Sequence, residues 1–218
     1  MKVTTDACLL GAVAEVKHSK AILDIGAGTG LLSLMVAQRS KANITAIELD
    51  PASAQQCRYN FTQSPWQERL SVIQQAIQTF SVGNHPGFDT IITNPPFFEK
   101  STTASDTQKT MARHTSSLNY YDLALSIAHC LNHNGSAWIL LPADSHSHFI
   151  TASTNTGLYV NQIVRVRSSP KHREHRHILV MRKQPARNPH HTELIIYQKH
   201  PVYTEQVHQL LQPYYLYL

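Results

Sequence analysis

The run Asp24-Ile25-Gly26-Ala27-Gly28-Thr29-Gly30 closes a short apolar segment. Glycines in such a turn permit positive φ and let a ligand approach the backbone closely. The spacing is GxGxG, because Leu31 stands where a dinucleotide fingerprint would carry its last glycine. That fingerprint sets a pyrophosphate on a helix N-terminus. Here Asp24 precedes the glycines, which disfavours phosphate and suits a ligand with an ammonium group, such as the methionine moiety of S-adenosylmethionine. Glu48 ends the next apolar run, where an acid can accept hydrogen bonds from both hydroxyls of a ribose. Asp50 stands directly before Pro51 and is the better cap for the helix that follows.

A second constellation, Asn94-Pro95-Pro96-Phe97, follows a later apolar run. An amino group on an aromatic or amide carbon is a weak nucleophile, because its lone pair is delocalised. The Asn94 side-chain oxygen and the Pro95 carbonyl can accept both of its hydrogens and turn the lone pair toward a sulfonium methyl carbon. Proline stiffens the turn, so the acceptors stay aimed. Phe97 can stack on an unstacked base.

Both constellations need strands to hold them. Apolar runs predict strands at Ala21–Ile25, Ile44–Ile47, Leu70–Ile73, Phe88–Thr93 and Ala137–Leu141. Helical spacing predicts helices over Thr29–Arg39, from Pro51 to about Phe61, over Ser117–Leu131 and over Asp144–Asn155. This alternation implies βαβ units and a mainly parallel sheet. Tyr159–Val166 and His177–Arg182 read as an antiparallel pair at its edge, and the polar turn 132–135 precedes the fifth strand. Segments 99–116 and 168–176 read as loops.

A chain of 218 residues suits one α/β domain. The expected layout is an opening segment over 1–19, a catalytic core over 20–183 and a C-terminal tail over 184–218 docked on the core. Cys8, Cys57 and Cys130 are odd in number and widely spaced, which argues against a disulfide framework or zinc site and fits a reducing cytoplasm. No apolar run approaches the roughly 18 residues of a membrane span. Ala7–Ala14 is too short, and too close to Asp6, to read as a signal-peptide core. The excess of 19 Lys and Arg over 14 Asp and Glu suits an anionic partner. Arg165, Arg167, Lys171, His172, Arg173, Arg176, Arg182, Lys183 and Arg187 gather in the last third, as an RNA track or a solvated hairpin. His172, His175, His177, His190 and His191 match no zinc-protease spacing, and no metal is expected. Tyr214, Tyr215 and Tyr217 read as part of a docked segment, with base stacking as the alternative.

Together these residues resemble the class I methyltransferases of the Asn-Pro-Pro-aromatic type. Over essentially the whole chain they resemble the bacterial tRNA(Val) adenine-N6-methyltransferases. The opening Met1-Lys2-Val3-Thr4-Thr5-Asp6, then Leu9-Leu10-Gly11-Ala12, Gln63-Ser64-Pro65-Trp66, Ala112-Arg113-His114, Tyr203-Thr204-Glu205 and Tyr214-Tyr215-Leu216 carry that resemblance. It implies a Rossmann-like fold, a seven-stranded mainly parallel sheet with an antiparallel edge pair. It also implies an S-adenosylmethionine-dependent enzyme acting on the N6 amine of an adenosine next to the anticodon of a tRNA; the sequence leaves the oligomeric state open, with a monomer the expectation. Implied cofactor contacts are Asp24, Gly26, Gly28, Gly30, Glu48 and Ile77. Implied target contacts are Asn94, Pro95, Pro96 and Phe97; Arg113, in the loop after that block, is by its charge and position a further candidate for substrate contact.

The chain departs from the family pattern at three points. Ala76, between Gln75 and Ile77, stands where an acid usually meets the cofactor adenine. Phe97 replaces the commoner tyrosine. The family has residues ahead of the opening segment. Among the rivals, protein-glutamine methyltransferases resemble chains with a helical domain before the glycine loop, whereas about 20 residues precede it here. DNA adenine methyltransferases need a further base-reading domain. Guanine-N2 methylation of ribosomal RNA uses the same amine chemistry, and a non-catalytic RNA-binding module stays open through Ala76.

Overall fold

The computed structural model describes residues 3–95 and 118–217. Its first five strands are β1 (Ala21–Ile25), β2 (Asn43–Glu48), β3 (Leu70–Gln74), β4 (Phe88–Thr93) and β5 (Leu131–Pro142). The next three are β6 (Tyr159–Arg167), β7 (Glu174–Arg182) and β8 (His190–Ile195). Among the described residues these eight form one sheet in the order β3-β2-β1-β4-β5-β7-β6-β8. From β3 to β5 every neighbouring pair is parallel. β7 runs antiparallel to both β5 and β6, as the predicted edge pair requires. An eighth strand, beyond the seven expected, lies outside that pair, with β8 parallel to β6. It escaped prediction because its sequence, HHTELI, is polar and buries only Leu194. Two short strands, β9 (Tyr197–Lys199) and β10 (Val202–Tyr203), pair with each other.

The helices are α1 (Thr5–Val13), α2 (Leu31–Arg39), α3 (Pro51–Thr62), α4 (Ile77–Ser81), α5 (Tyr120–Cys130), α6 (His146–Ser153) and α7 (Glu205–Leu211). Side chains of β1 and of β5 to β7 alternate between two apolar cores, as strand geometry demands. On one face, Leu9, Leu10, Val36, Trp138 and Ile178 pack with Val207 and Leu211. On the other, Leu23, Leu123, Ile127, Phe149 and Leu179 form the second core. α1 and α7 therefore share a core with α2, and the Arg39 guanidinium ties α1 further by donating to the carbonyls of Gly11 and Ala14.

Two loops differ from expectation. The polar stretch 132–135 lies within β5, where Phe88 aligns with Leu131 but Thr90 with Ser136, so the extra residues bulge out of the ladder. Gly135 permits this, since a Cβ there would come within 2.9 Å of the Asp89 carbonyl oxygen and 3.0 Å of that of Phe88. β7 begins at Glu174, which shortens the predicted loop at 168–176; pairing with Arg167 and Val166 draws Glu174 and Arg176 into the ladder.

Candidate active site

Strand order reverses at β1, which lies between β2 and β4. Chains leaving neighbouring strands in opposite directions open a crevice at the carboxyl edge. The glycine turn and Asn94 meet there through registry. Ile25 aligns with Thr93, and the fully buried Thr93 hydroxyl donates to the Ile25 carbonyl at 2.8 Å. The backbone then leaves two adjacent strands, about 4.8 Å apart, as Gly26 and as Asn94.

The turn is held from below and behind. The amides of Gly26 and Ala27 donate to the Ile47 carbonyl at 2.9 and 3.1 Å. Gly26, Gly28 and Gly30 all take positive φ, 70°, 56° and 87°. A Cβ on Gly26 would meet nothing within 4 Å, so that glycine leaves open space for a ligand. A Cβ on Gly30 would come within 2.6 Å of Phe61 and 2.8 Å of the Cys57 sulfur, so that glycine lets α3 pack under the turn. The Gly30 amide is already used by the Ala27 carbonyl.

Glu48 bridges the turn and the start of α3. Its carboxylate accepts from the Gly28 amide at 2.7 Å and from the Asp50 amide at 2.9 Å. Asp50 caps α3 through the Ser53 amide, as predicted, and that bond holds its carboxyl below the ordinary range. With Oε1 and Oε2 anchored, the remaining lone pairs of Glu48 point from a fixed position.

Asp24 is fully buried beneath the turn. Its Oδ2 accepts from the Ser33 amide at 3.0 Å and the Ser33 hydroxyl at 2.7 Å, while Oδ1 is buried with no partner. Burial pushes its carboxyl up to about 7, against the Ser33 bonds, with the Glu48 charge adding to the rise. The unpartnered Oδ1 and the empty space over Gly26 fit a cationic ligand head at this turn. Two further residues near this edge were not singled out in the sequence. Leu49, between two acids at the end of β2, is 58% exposed, an apolar surface suited to a flat ring. Ser33 orients Asp24 from the first turn of α2; a hydroxyl amid the apolar residues Leu31 to Ala37 was its only signal. Ile77 is buried in the core, and Ala76 precedes α4 without a side-chain cap, so this end offers amides in place of an acid.

A family model described as the methyltransferase small domain matches residues 4–145. A tRNA1(Val) (adenine(37)-N6)-methyltransferase of Shewanella sp. (strain MR-4) is 42% identical over 218 residues, covering 99% of this chain and 92% of that protein. Its counterpart in Shewanella amazonensis is 40% identical over 216 residues, with the same coverage of each chain. The chain belongs to this methyltransferase family. Among solved structures, a predicted O-methyltransferase from Agrobacterium tumefaciens superposes with a TM-score of 0.71 at 21% identity, over 95% of each chain. A glycopeptide N-methyltransferase complexed with S-adenosylmethionine superposes at 0.60 and 12% identity, over 82% of this chain and 93% of that one. At such identities these two establish the shared methyltransferase fold alone.

Within this methyltransferase, Asp24, Gly26, Gly28, Glu48 and Asn94 come together at one crevice, with Asn94 half-buried and Pro95 buried. Pro96, Phe97 and Arg113 lie outside the described residues. The basic group of the last third separates into two. Arg165 to Arg176 gather where β6 turns into β7, on the carboxyl edge. Arg182, Lys183 and Arg187 lie at the opposite edge, where Arg182 donates to the Asn134 carbonyl. Two of the histidines pair with acids: His175 meets Asp6 at 3.1 Å and His177 meets Glu174 at 3.3 Å. Among the described residues no three His, Cys, Asp or Glu side chains are placed to hold a metal, and no helix is long and apolar enough to cross a membrane.

Proposed function

We infer that this chain transfers a methyl group from S-adenosylmethionine to the N6 amine of adenine 37 in tRNA1(Val). The observation that carries the reading is the registry of Thr93 with Ile25, which brings the backbone of Asn94 and Pro95 beside the glycine turn of a chain from this family. When bound, S-adenosylmethionine supplies an electrophilic methyl group. The space over Gly26 admits its methionine end, and Asp24 provides a buried acceptor beneath it. Glu48 takes the ribose hydroxyls. Leu49 and the amides after Ala76, beside Ile77, hold the adenine without the missing acid.

Asn94 and Pro95 do the remaining work. Two acceptors matched to two N–H hydrogens fix the amine plane and turn its lone pair into the crevice. Substitution makes the amine nitrogen acidic, so its proton passes to solvent and no strong general base is required. Pro96, Phe97 and Arg113 complete the reading as the stiff turn, the stacking face and an RNA contact. We read the protein as a cytoplasmic monomer working as one domain: an opening segment over 1–19, a core over 20–183 and a docked tail over 184–218. The single shared core of α1, α2 and α7 supports that layout.

The test is transfer of labelled methyl to unmodified tRNA1(Val), followed by nucleoside analysis. Asn94→Ala is expected to bind the cofactor normally by calorimetry and to lose on the order of 100-fold or more in kcat, the scale set by removing one oriented acceptor or donor. Near-normal turnover in that variant would show the acceptor mechanism to be wrong.

A further inference from the structure

Resting on the tRNA reading, we propose that the β6–β7 hairpin is the surface that grips the RNA phosphate backbone beside the reacting amine. Its placement is the first argument. Thr93 aligns with Ile139, Ile139 with Leu179, and Leu179 with Ile163, so these residues stand at one level of the sheet. β4 gives way to Asn94 directly after that level, whereas β7 extends outward to Glu174 and β6 to Arg167. At about 3.3 Å per residue the hairpin rises roughly 10 Å or more above the sheet edge. It stands two to three strand spacings from β4, about 10–14 Å to the side of Asn94. The hairpin is a wall along one flank of the crevice, within reach of the nucleotides that adjoin the target.

The charge of that wall is the second argument. Arg165 lies 3.6 Å from Glu174, Arg167 lies 2.7 Å from Glu193, and Arg176 lies 3.3 Å from Asp6. These ion pairs brace the base of the hairpin. The exposed tip between the strands carries Lys171 and Arg173, for which no ion pair is formed among the described residues. His172, also exposed, is bonded to the Ser169 hydroxyl at 2.7 Å. Two unneutralised cations on a braced, protruding turn suit phosphodiester contacts, which need charge and reach but no base readout. Lys183 and Arg187, from the second basic group at the opposite edge of the sheet, form an internal control pair with the same two charges and no access to the crevice.

The experiment compares two double variants, Lys171→Ala with Arg173→Ala and Lys183→Ala with Arg187→Ala. Each removes two positive charges. Binding of an unmodified tRNA1(Val) transcript is measured against salt concentration, together with kcat, KM and melting temperature. The hairpin pair is expected to raise Kd and KM roughly tenfold and to lower the slope of log K against log salt by about 1.4–1.8, the share of two phosphate contacts, with kcat unchanged. The opposite-edge pair is expected to match the wild type. Equal weakening by both pairs would reduce the effect to net charge and overturn the proposal. So would a hairpin pair that binds RNA as the wild type does, which would turn the hairpin toward a protein partner. The two readings fail separately: a wild type that binds RNA through the hairpin yet methylates no tRNA would sink the function and leave this surface standing.

Discussion

Asp24 is the residue with most at stake. Buried and half-satisfied, it holds its proton to about pH 7, against an ordinary value of 3.8. Between those values the folded chain binds a proton at Asp24 that the unfolded chain has released, so the contribution of Asp24 to stability without ligand is fully present below about pH 4 and is lost as pH rises toward 7. A displacement of this size corresponds to on the order of 4 kcal/mol. Asp24→Asn cannot ionise, so its melting temperature is expected to gain on that of the wild type as pH rises from 5 to 8, the part of the profile that Asp24 supplies. It is also expected to bind S-adenosylmethionine more weakly, having lost the charge beneath the turn. Wild-type and variant profiles that run parallel over this range would show that Asp24 ionises freely in the fold. The kind of residue at 24 was legible in the sequence. Its complete burial was not, because Ser33 and the chain above it reach Asp24 only once α2 has folded back on β1.

At the scale of elements, the glycine turn separates into parts with different duties. Gly26→Ala places a side chain in open space, so it should cost only the left-handed backbone strain, about 1–2 kcal/mol, and act chiefly on cofactor affinity. Gly30→Ala adds a clash with Phe61 and Cys57 to that strain and is expected to cost about 3 kcal/mol or more. Chemical denaturation with parallel calorimetry distinguishes them, and identical behaviour of the two variants would contradict the division. The sequence shows three glycines in a regular pattern, but α3 packs against Gly30 and leaves Gly26 open, and that is a tertiary fact. The same limit explains the missed elements. α1 buries most of its residues, Cys8 to Ala12 among them, and so shows no amphipathic period. α4 and α7, of five and seven residues, are too short for a period to stand out. β8 is strand because β6 offers it an edge.

At the scale of the molecule, the two ends of the chain complete one core. Leu211 is fully buried in the cluster that holds Leu9 and Leu10, and the Gln38 amide donates to the Pro213 carbonyl at 2.8 Å. Leu211→Ala is expected to destabilise the whole protein by about 2–5 kcal/mol, within a single unfolding transition. A separate early transition seen by calorimetry would mean that the tail melts on its own. Leu216 and Tyr217 lie beyond this packing and are exposed, while Tyr214 and Tyr215 are partly buried, so the aromatic end is docked only in part.

By itself the sequence determined the parallel α/β layout, the glycine turn with Glu48, and the Asn-Pro-Pro-Phe block. Those signals are local: strand runs, turn chemistry and motif spacing are written in consecutive residues. Only the tertiary structure decided that Thr93 registers with Ile25, that Asp24 is sealed, that Leu49 is exposed at the end of β2, and that one basic cluster is two on opposite edges. Each of these depends on which strands become neighbours and in which direction they run. That choice minimises exposed apolar surface over the whole chain, and no window of neighbouring residues contains it.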